Sequence, residues 1–228
     1  MKAMVLAAGR GERMRPLTDT IPKPLVPLAG RPLIEHAIGR LAQAGVTELV
    51  VNLGYRGEQL RAHLGDGSRL GVRIAYSDEG DPPLDTGGGV FRALDLLGDD
   101  PFLVVNSDIY SRFDLAPLAA RAAAMPARDL AHLVLVPNPA ERPNGDFALV
   151  DDGRVLNDGA LRLTYAGLSI LKPELFWNCE DGRFSLVPLW RHAAACGQLG
   201  GERYDGLWSD VGTPERLASL ETRLQESP

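Results

Sequence analysis

The stretch LAAGRGERMRPLT, residues Leu6–Thr18, is a glycine-rich loop that is followed closely by Pro22-Lys23-Pro24. The apolar run before it, Lys2–Leu6, predicts a short buried strand. The loop would then leave the carboxyl end of a parallel sheet, where open α/β folds bind their ligands. The first loop is therefore the predicted ligand site.

The loop has a composition that suits phosphate. Gly9 and Gly11 lack a Cβ atom, so backbone N–H groups there can approach phosphate oxygens. Arg13, Arg15 and Lys23 add positive charge within the same short stretch. Because prolines flank Lys23, less entropy is lost when its ammonium is held on a ligand. A plain surface turn with solvated arginines is the alternative.

Two common phosphate-binding motifs do not describe this loop. No Gly-Lys-Ser/Thr follows at the spacing of a P-loop. Met14 replaces the third glycine of the dinucleotide fingerprint, and Pro16 argues against a helix beginning there. The pattern indicates a different triphosphate-binding loop.

Strand-like and helix-like segments alternate along the rest of the chain. This order predicts a three-layer α/β fold with a mostly parallel sheet. Strands are expected at residues 48–52, 72–76, 101–106, 131–136 and 167–171, with a hairpin of 147–150 and 161–165 around a turn at 151–153. Helices are expected at residues 31–42, 57–64, 90–97, 115–125 and 186–195, and a last one from Pro214 through Leu224.

Three further segments carry chemistry. Gly87–Gly89 precede a predicted helix, so a base or ribose could lie against their backbone, although a flexible linker is the alternative. Asp108 follows a central strand at the ligand edge, where a carboxylate is well placed to hold Mg²⁺ against phosphate. Residues 137–146 are rich in turn formers and predict a loop.

Composition narrows the function classes. With 228 residues, 45% of them hydrophobic, the chain can bury a substantial core. A net charge of −6 argues against binding to nucleic-acid backbone, and neither a membrane span nor a signal peptide is evident. Cys179 and Cys196 could form a disulfide but are more simply reduced, buried or partly buried thiols. We therefore expect a cytoplasmic enzyme with small-molecule substrates.

The four histidines lack metal-ligand spacing and are expected to be structural.

The run from Leu6 to Pro24 resembles the signature of sugar-1-phosphate nucleotidyltransferases, Leu-x-Ala-Gly-x-Gly-x-Arg-x-x-Pro-Leu-Thr followed by Pro-Lys-Pro. The resemblance extends over nearly the whole chain. It implies one domain, residues 1–228, with a Rossmann-like nucleotidyltransferase fold. Within it, about 1–136 would be the nucleotide-binding core, about 137–205 a sugar-binding portion with a small β subdomain, and 206–228 a metal motif and C-terminal helix.

The resemblance also implies site residues. Asp108 and Asp210 would bind Mg²⁺, the latter because Trp-x-Asp-Val-Gly-Thr at residues 208–213 resembles the family's distal metal motif. Ser107 stands where family members commonly have glycine. The full catalytic set would be Arg13, Lys23, Asp108 and Asp210. Nucleotide contacts are expected from Ala7, Ala8, Gly9, Gly11, Glu12, Arg13, Lys23, Gly54, Leu84 and Gly88. Sugar contacts are expected from Asn106, Asp146 and Trp208, with an exposed turn and a core aromatic as the alternatives for the last two.

Within this family the chain is most similar to short bacterial uridylyltransferases that act on N-acetylmuramic acid 1-phosphate in cell-wall recycling. The implied substrates are UTP and that sugar 1-phosphate. However, residues 81–86 contain no glutamine to read a uracil edge and also resemble guanylyltransferases. GTP with mannose 1-phosphate is the enzyme alternative, and a non-catalytic nucleotide-sugar sensor is a further one. The oligomeric state is not predicted.

Overall fold

The computed structural model describes residues 1–226, so the last two residues of the predicted C-terminal segment lie outside it. The strands are β1 (Lys2–Leu6), β2 (Pro27–Leu28), β3 (Arg31–Pro32), β4 (Glu48–Leu53), β5 (Arg73–Asp78), β6 (Phe102–Asn106), β7 (Ile109–Ser111), β8 (Ala131–Val136), β9 (Phe147–Leu149), β10 (Val155–Leu156), β11 (Arg162–Leu171), β12 (Leu199–Arg203) and β13 (Trp208–Asp210). The α-helices are α1 (Leu33–Gln43), α2 (Gly57–Leu64), α3 (Asp85–Arg92), α4 (Leu94–Leu97), α5 (Leu115–Ala123), α6 (Leu186–Ala195) and α7 (Pro214–Glu226).

The predicted mostly parallel sheet is confirmed. Strand β1 lies between β6 and β4, and β5 follows β4, all in parallel. Strand β11 runs antiparallel to β6 and to β8, and β12 joins the far edge in parallel with β8. The carboxyl ends of the parallel strands therefore meet at one edge, as the position of the first loop requires.

Helices cover both faces of this sheet, which gives the predicted three layers. Along β1 the side chains alternate, with Ala3 and Val5 in one apolar cluster and Met4 in the other. Helices α1, α2 and α5 bury apolar residues in the first cluster, and α3, α4 and α6 do so in the second. None of the helices within residues 1–226 has both the length and the hydropathy of a membrane span.

A third, smaller cluster joins the two ends of the described chain. Met14 from the first loop is fully buried there with Val211, which follows β13, and with Leu217 and Leu220 of α7. Leu28 and Leu33 complete the contact from the ribbon and helix that follow the loop. The position that the dinucleotide fingerprint reserves for glycine is thus a core position in this fold.

Two secondary-structure predictions were wrong in detail. The helix expected at 90–97 begins at Asp85, includes all three glycines and ends at Arg92, with a separate short α4 behind it. Strands β9 and β11 pair antiparallel as predicted, with Ala148 opposite Arg162, but the turn at 151–153 leads into β10, which also pairs with β9. Residues 162–165 and 167–171 belong to the single strand β11, whose register shifts between Tyr165 and Ser169. Strand β12 was not predicted.

Close packing explains why glycine occurs within α3. A Cβ atom on Gly88 would lie 2.1 Å from the carbonyl oxygen of Gly182, and one on Gly87 would lie 2.4 Å from Phe184. The backbone N–H groups of Gly87 and Gly88 both donate to the carbonyl oxygen of Phe184. These glycines therefore allow the 182–184 segment to approach the helix, a contact that no local pattern reveals.

We expect Gly88→Ala to lower the free energy of unfolding by about 2 kcal/mol, because overpacking a fixed contact typically costs this much. Urea denaturation would measure it. Gly9→Ala is the matched control, since a Cβ atom at Gly9 meets nothing within 4 Å. Equal stability of the two variants would show that the 182–184 segment yields freely.

Candidate active site

The loop after β1 forms the floor of a large cleft at the carboxyl edge of the sheet. The cleft has a volume of about 820 Å³, which is large enough for a nucleotide with a sugar phosphate. Nine residues expected from the sequence line it, namely Ala7, Ala8, Gly9, Gly11, Glu12, Arg13, Lys23, Asn106 and Asp108. The chemistry expected of the first loop therefore has a matching cavity.

Gly11 and Lys23 are packed against each other within this loop. Gly11 has φ = +64°, and a Cβ atom there would lie 2.8 Å from Cβ of Lys23. The Thr18 hydroxyl donates to the Gly11 carbonyl oxygen over 2.9 Å. The left-handed backbone at Gly11 thus places the lysine beside the loop, and Pro22 and Pro24 on either side of Lys23 are buried.

Lys23 is paired with Asp108 across the cleft. Its Nζ donates to Oδ2 of Asp108 over 2.5 Å, and the lysine side chain is only 12% exposed. Asp108 follows β6, which is the neighbour of β1, so its loop and the first loop leave the sheet side by side. An ammonium group and a carboxylate from different loops therefore meet where phosphate is expected.

A two-stranded ribbon holds Asp210 near Asp108. Strands β7 and β13 pair antiparallel, with Asp210 opposite Ile109, and the Val211 N–H donates to the Asp108 carbonyl oxygen over 2.9 Å. Asp210 is buried. A Cβ atom on Gly212 would lie 3.0 Å from Oδ1 of Asp210 and 3.3 Å from Nη2 of Arg13, so both groups pack against this glycine.

The carboxylate oxygens of Asp108 and Asp210 suit a magnesium ion. Oδ1 of Asp210 is buried and has no hydrogen-bond partner among the described residues, which is a state that a bound cation would relieve. Residues 1–226 contain no cluster of three or more His, Cys, Asp or Glu side chains placed to hold a metal. Mg²⁺ is commonly bound by one or two carboxylates together with substrate phosphates, so two aspartates are sufficient.

A buried hydrogen-bond chain joins the loops at the other end of the cleft. The Ala7 N–H donates to Oδ1 of Asn52 over 2.6 Å, and Nδ2 of Asn52 donates to Oε1 of Glu79 over 2.5 Å. The Leu84 N–H donates to Oε2 of Glu79 over 2.7 Å. Burial raises the pKa of Glu79, and these donors act against that rise. One carboxylate therefore connects the ends of β1, β4 and β5.

Several expected residues do not line the cleft. Gly54 packs on Ala8, because a Cβ atom there would lie 2.6 Å from the Ala8 carbonyl oxygen. Gly88 faces Gly182, as described above. Leu84 contributes its N–H to Glu79. The binding roles of these three residues stay predictions.

Of the three residues expected to contact the sugar, one lines the cleft and two do not. Asn106 lines the cleft at the end of β6. Oδ2 of Asp146 accepts the Tyr165 N–H over 2.9 Å, and Nε1 of Trp208 donates to the Ala166 carbonyl oxygen over 2.9 Å. Both side chains are half-buried and bound to β11. Their contacts with a sugar remain predictions.

Part of the cleft lining was not predicted. Glu79, Asn52 and Arg183 line the cleft, and so does Arg10, which forms an ion pair with Asp81. Asn52 and Glu79 follow the rule that polar residues at the ends of parallel strands face the ligand edge, so that rule could have found them. Arg183 carries no such signal. None of the four histidines lines the cleft, and both cysteines are free, although Cys196 is exposed rather than buried.

Comparisons with known proteins agree with this geometry. Residues 2–157 match the Nucleotidyl transferase family. The chain is 49% identical, over 95% of both sequences, to the N-acetylmuramate alpha-1-phosphate uridylyltransferase of Neisseria meningitidis. It is 39% identical to the mannose-1-phosphate guanylyltransferase of Mycobacterium tuberculosis, over 93% of this chain and 61% of that one.

The fold also matches a solved structure, that of a putative glucose-1-phosphate thymidylyltransferase from Bacillus anthracis in complex with a sucrose. The TM-score is 0.87, with 20% identity, over 100% of this chain and 96% of the other. At this identity the likeness concerns the fold alone.

Glu79→Gln should raise the KM for the nucleotide about tenfold. In either orientation of the new amide, its NH₂ group faces a donor, either Nδ2 of Asn52 or the Leu84 N–H. The loss of a hydrogen bond to a charged group costs roughly 1.5–3 kcal/mol. Steady-state kinetics and urea denaturation would measure the loss. The double variant Glu79→Gln, Asn52→Asp restores a complementary chain, since the new Asp accepts from both the Ala7 N–H and the new amide. If the double variant is no better than Glu79→Gln, the chain does not organise the nucleotide site.

The family assignment thus rests on more than the first loop, since the match over residues 2–157 includes β1, the cleft floor, Lys23 and Asp108. The chain belongs to the Nucleotidyl transferase family.

Proposed function

We propose that this protein joins UTP and N-acetylmuramic acid α-1-phosphate to give UDP-N-acetylmuramic acid and pyrophosphate, in peptidoglycan recycling. The observation that carries the proposal is 49% identity over 95% of both chains with the Neisseria meningitidis protein of that name. The cleft supports it with Arg13 and Lys23 on its floor and with Asp108 opposite the lysine. A cytoplasmic location belongs to the same proposal.

The reaction needs charge neutralisation rather than a general base. The second pKa of a phosphate monoester is about 6, so the sugar phosphate already offers an ionised oxygen at neutral pH. That oxygen forms a bond to the α-phosphorus of UTP, and the bond from the α-phosphorus to the bridging oxygen breaks. Pyrophosphate leaves with the electron pair. The barrier comes mainly from bringing two anions together in line.

The charged residues would divide this task. Arg13 would bind the β and γ phosphates and so stabilise the departing pyrophosphate. Lys23 would lie between the α-phosphate and the sugar phosphate and reduce their repulsion. Asp108 and Asp210 would hold Mg²⁺, which supplies further neutralisation of the phosphate oxygens when bound.

Lys23 must then change partners during the reaction cycle. Its Nζ donates to Asp108 in this structure, and Asp108 is the carboxylate that would bind the metal. If Asp108 held a cation, the Lys23 ammonium would be free to contact the incoming phosphates instead.

The remaining residues would bind the two halves of the substrate pair. The first loop, with Ala7, Ala8, Gly9, Gly11 and Glu12, would contact the nucleotide, and Gly54, Leu84 and Gly88 would shape the base subsite. The portion at about 137–205 would bind the sugar. Asn106 lines the cleft and is the best supported sugar contact. Asp146 and Trp208 would contribute from the edge of β11, to which both are bonded.

One alternative has an observation in its favour. The mannose-1-phosphate guanylyltransferase of Mycobacterium tuberculosis is 39% identical, although this chain spans only 61% of it. The segment at 81–86 also resembles that of guanylyltransferases. A non-catalytic sensor is disfavoured, because the charged residues that the chemistry needs are present.

The decisive assay is pyrophosphate release with Mg²⁺, in which UTP, GTP, dTTP, CTP and ATP are each combined with the 1-phosphates of N-acetylmuramic acid, N-acetylglucosamine, glucose and mannose. We expect the pair of UTP and N-acetylmuramic acid 1-phosphate to dominate. A dominant signal from GTP with mannose 1-phosphate would replace the proposed substrates, and a blank grid would favour the sensor.

Asp108→Asn should lower kcat by about a hundredfold or more, because a neutral amide cannot hold the cation that offsets several kcal/mol of phosphate charge. Circular dichroism and urea denaturation should show a folded protein, since Asp108 lies at a partly exposed loop position. The same loss should follow removal of Mg²⁺ by EDTA and should be reversed by added Mg²⁺ in the unsubstituted enzyme alone. Full activity of the variant would remove Asp108 from the mechanism.

A further inference from the structure

The loop of residues 137–146, here the acceptor loop, reaches the proposed metal site through one arginine. Nη2 of Arg142 donates to Oδ2 of Asp210 over 3.1 Å. Both ends of the loop are fixed, because Asn138 donates to the carbonyl oxygens of Pro143 and Arg162 and Asp146 accepts the Tyr165 N–H. Arg142 therefore lies between two fixed ends of the loop.

Two arginines share the same carboxylate oxygen, and they are not equivalent. Nη1 of Arg216, from α7, lies 3.2 Å from Oδ2 of Asp210. Its Nε also pairs with Oε1 of Glu141 over 2.9 Å, and its side chain is only 22% exposed. Arg142 is 43% exposed, and Asp210 is its ion-pair partner among the described residues. Arg142 is thus the one that can leave at little cost.

A divalent cation on Asp210 would compete directly with this contact. The cation would bind the free Oδ1 of Asp210, and a guanidinium held on Oδ2 of the same carboxylate would repel it. The released guanidinium would stand on the acceptor loop beside the cleft, with a planar fork of donors that fits a phosphate or carboxylate group.

We propose that Arg142 changes its anionic partner when the metal binds. Without the metal it neutralises Asp210, and with the metal bound it binds an oxyanion of the acceptor. The identity of the acceptor rests on the proposed function. N-acetylmuramic acid 1-phosphate has two such groups, the 1-phosphate and the lactyl carboxylate. Arg142 therefore couples metal binding to acceptor binding.

This proposal requires effects of opposite sign in one variant. In Arg142→Ala, Mn²⁺ should bind about tenfold more tightly, as measured by electron paramagnetic resonance of free Mn²⁺, because its competitor is gone. The KM for the acceptor should rise at least tenfold in the same protein, while the KM for UTP changes little. A residue with only a structural role would weaken both kinds of binding when removed.

Two further variants sharpen the test. Arg142→Lys keeps the charge but loses the fork, so Mn²⁺ affinity should stay near that of the unsubstituted protein while the acceptor KM rises. Arg73→Gln removes one exposed positive charge, and Arg73 begins β5 at the opposite edge of the sheet. This control should change neither quantity, which would exclude a general effect of net charge.

The source of the oxyanion follows from competitive inhibition by N-acetylglucosamine 1-phosphate, which lacks the lactyl group. If Arg142→Ala weakens both sugar phosphates equally, Arg142 binds the 1-phosphate; if it weakens only the muramic acid compound, Arg142 binds the carboxylate. Unchanged Mn²⁺ affinity or unchanged acceptor KM would overturn the proposal. The proposed function fails separately, through an unsubstituted enzyme that is inactive with this substrate pair.

Discussion

The parallel pairing of β1 with β4 on one side and β6 on the other is the constraint on which the site depends. Val5 lies opposite both Val51 and Val105, so the three strands end at almost the same level. Their following residues consequently reach one cleft, where the glycine loop, Asn52 and Asp108 meet. Segments about fifty residues apart in sequence thus become neighbours, and the contacts of Ala7 with Asn52 and of Lys23 with Asp108 then join them.

The two carboxylates of the proposed metal site are each paired with positive charges of the protein itself. Lys23 neutralises Asp108, and Arg142 with Arg216 neutralises Asp210. Unpaired charges at partly buried positions would be costly, so these pairs let the chain fold with its reactive groups already in position. The same cations can later face phosphate, since an ion pair with a carboxylate and one with a phosphate use the same donors.

The sequence predicted those parts of the structure that follow from local rules. Apolar runs and their spacing gave the strands of the parallel sheet, and the end of β6 gave Asp108, because strand ends follow directly from strand positions. The packing of the 182–184 segment on Gly87 and Gly88 was not predicted, because that segment lies nearly one hundred residues away in sequence. The contact of Arg142 with Asp210 was equally hidden. Asp210 itself was found only through resemblance to a family motif.

Glu79 could be predicted in part. Its position follows from the end of β5, but its hydrogen-bond partners Asn52 and Leu84 depend on how two loops pack together. A pattern of strand ends indicates which residues face the ligand edge, and it cannot indicate which of them bond to one another. The nucleotide contacts predicted for Gly54, Leu84 and Gly88 therefore stay predictions, although the packing contacts of these residues were not foreseen.

The small apolar cluster around Met14 has a consequence for the order of events on the ribosome. Met14 emerges among the first residues, whereas its partners Val211, Leu217 and Leu220 are made some two hundred residues later. The parallel sheet can assemble while the chain is still growing, because domains fold progressively during synthesis. The first loop, however, stays without its apolar support until α7 has been made, and Asp108 stays without Asp210 until β13 has been made. A chain made only as far as α6 could therefore form much of the parallel sheet, but its first loop would still lack the apolar contacts with Val211, Leu217 and Leu220.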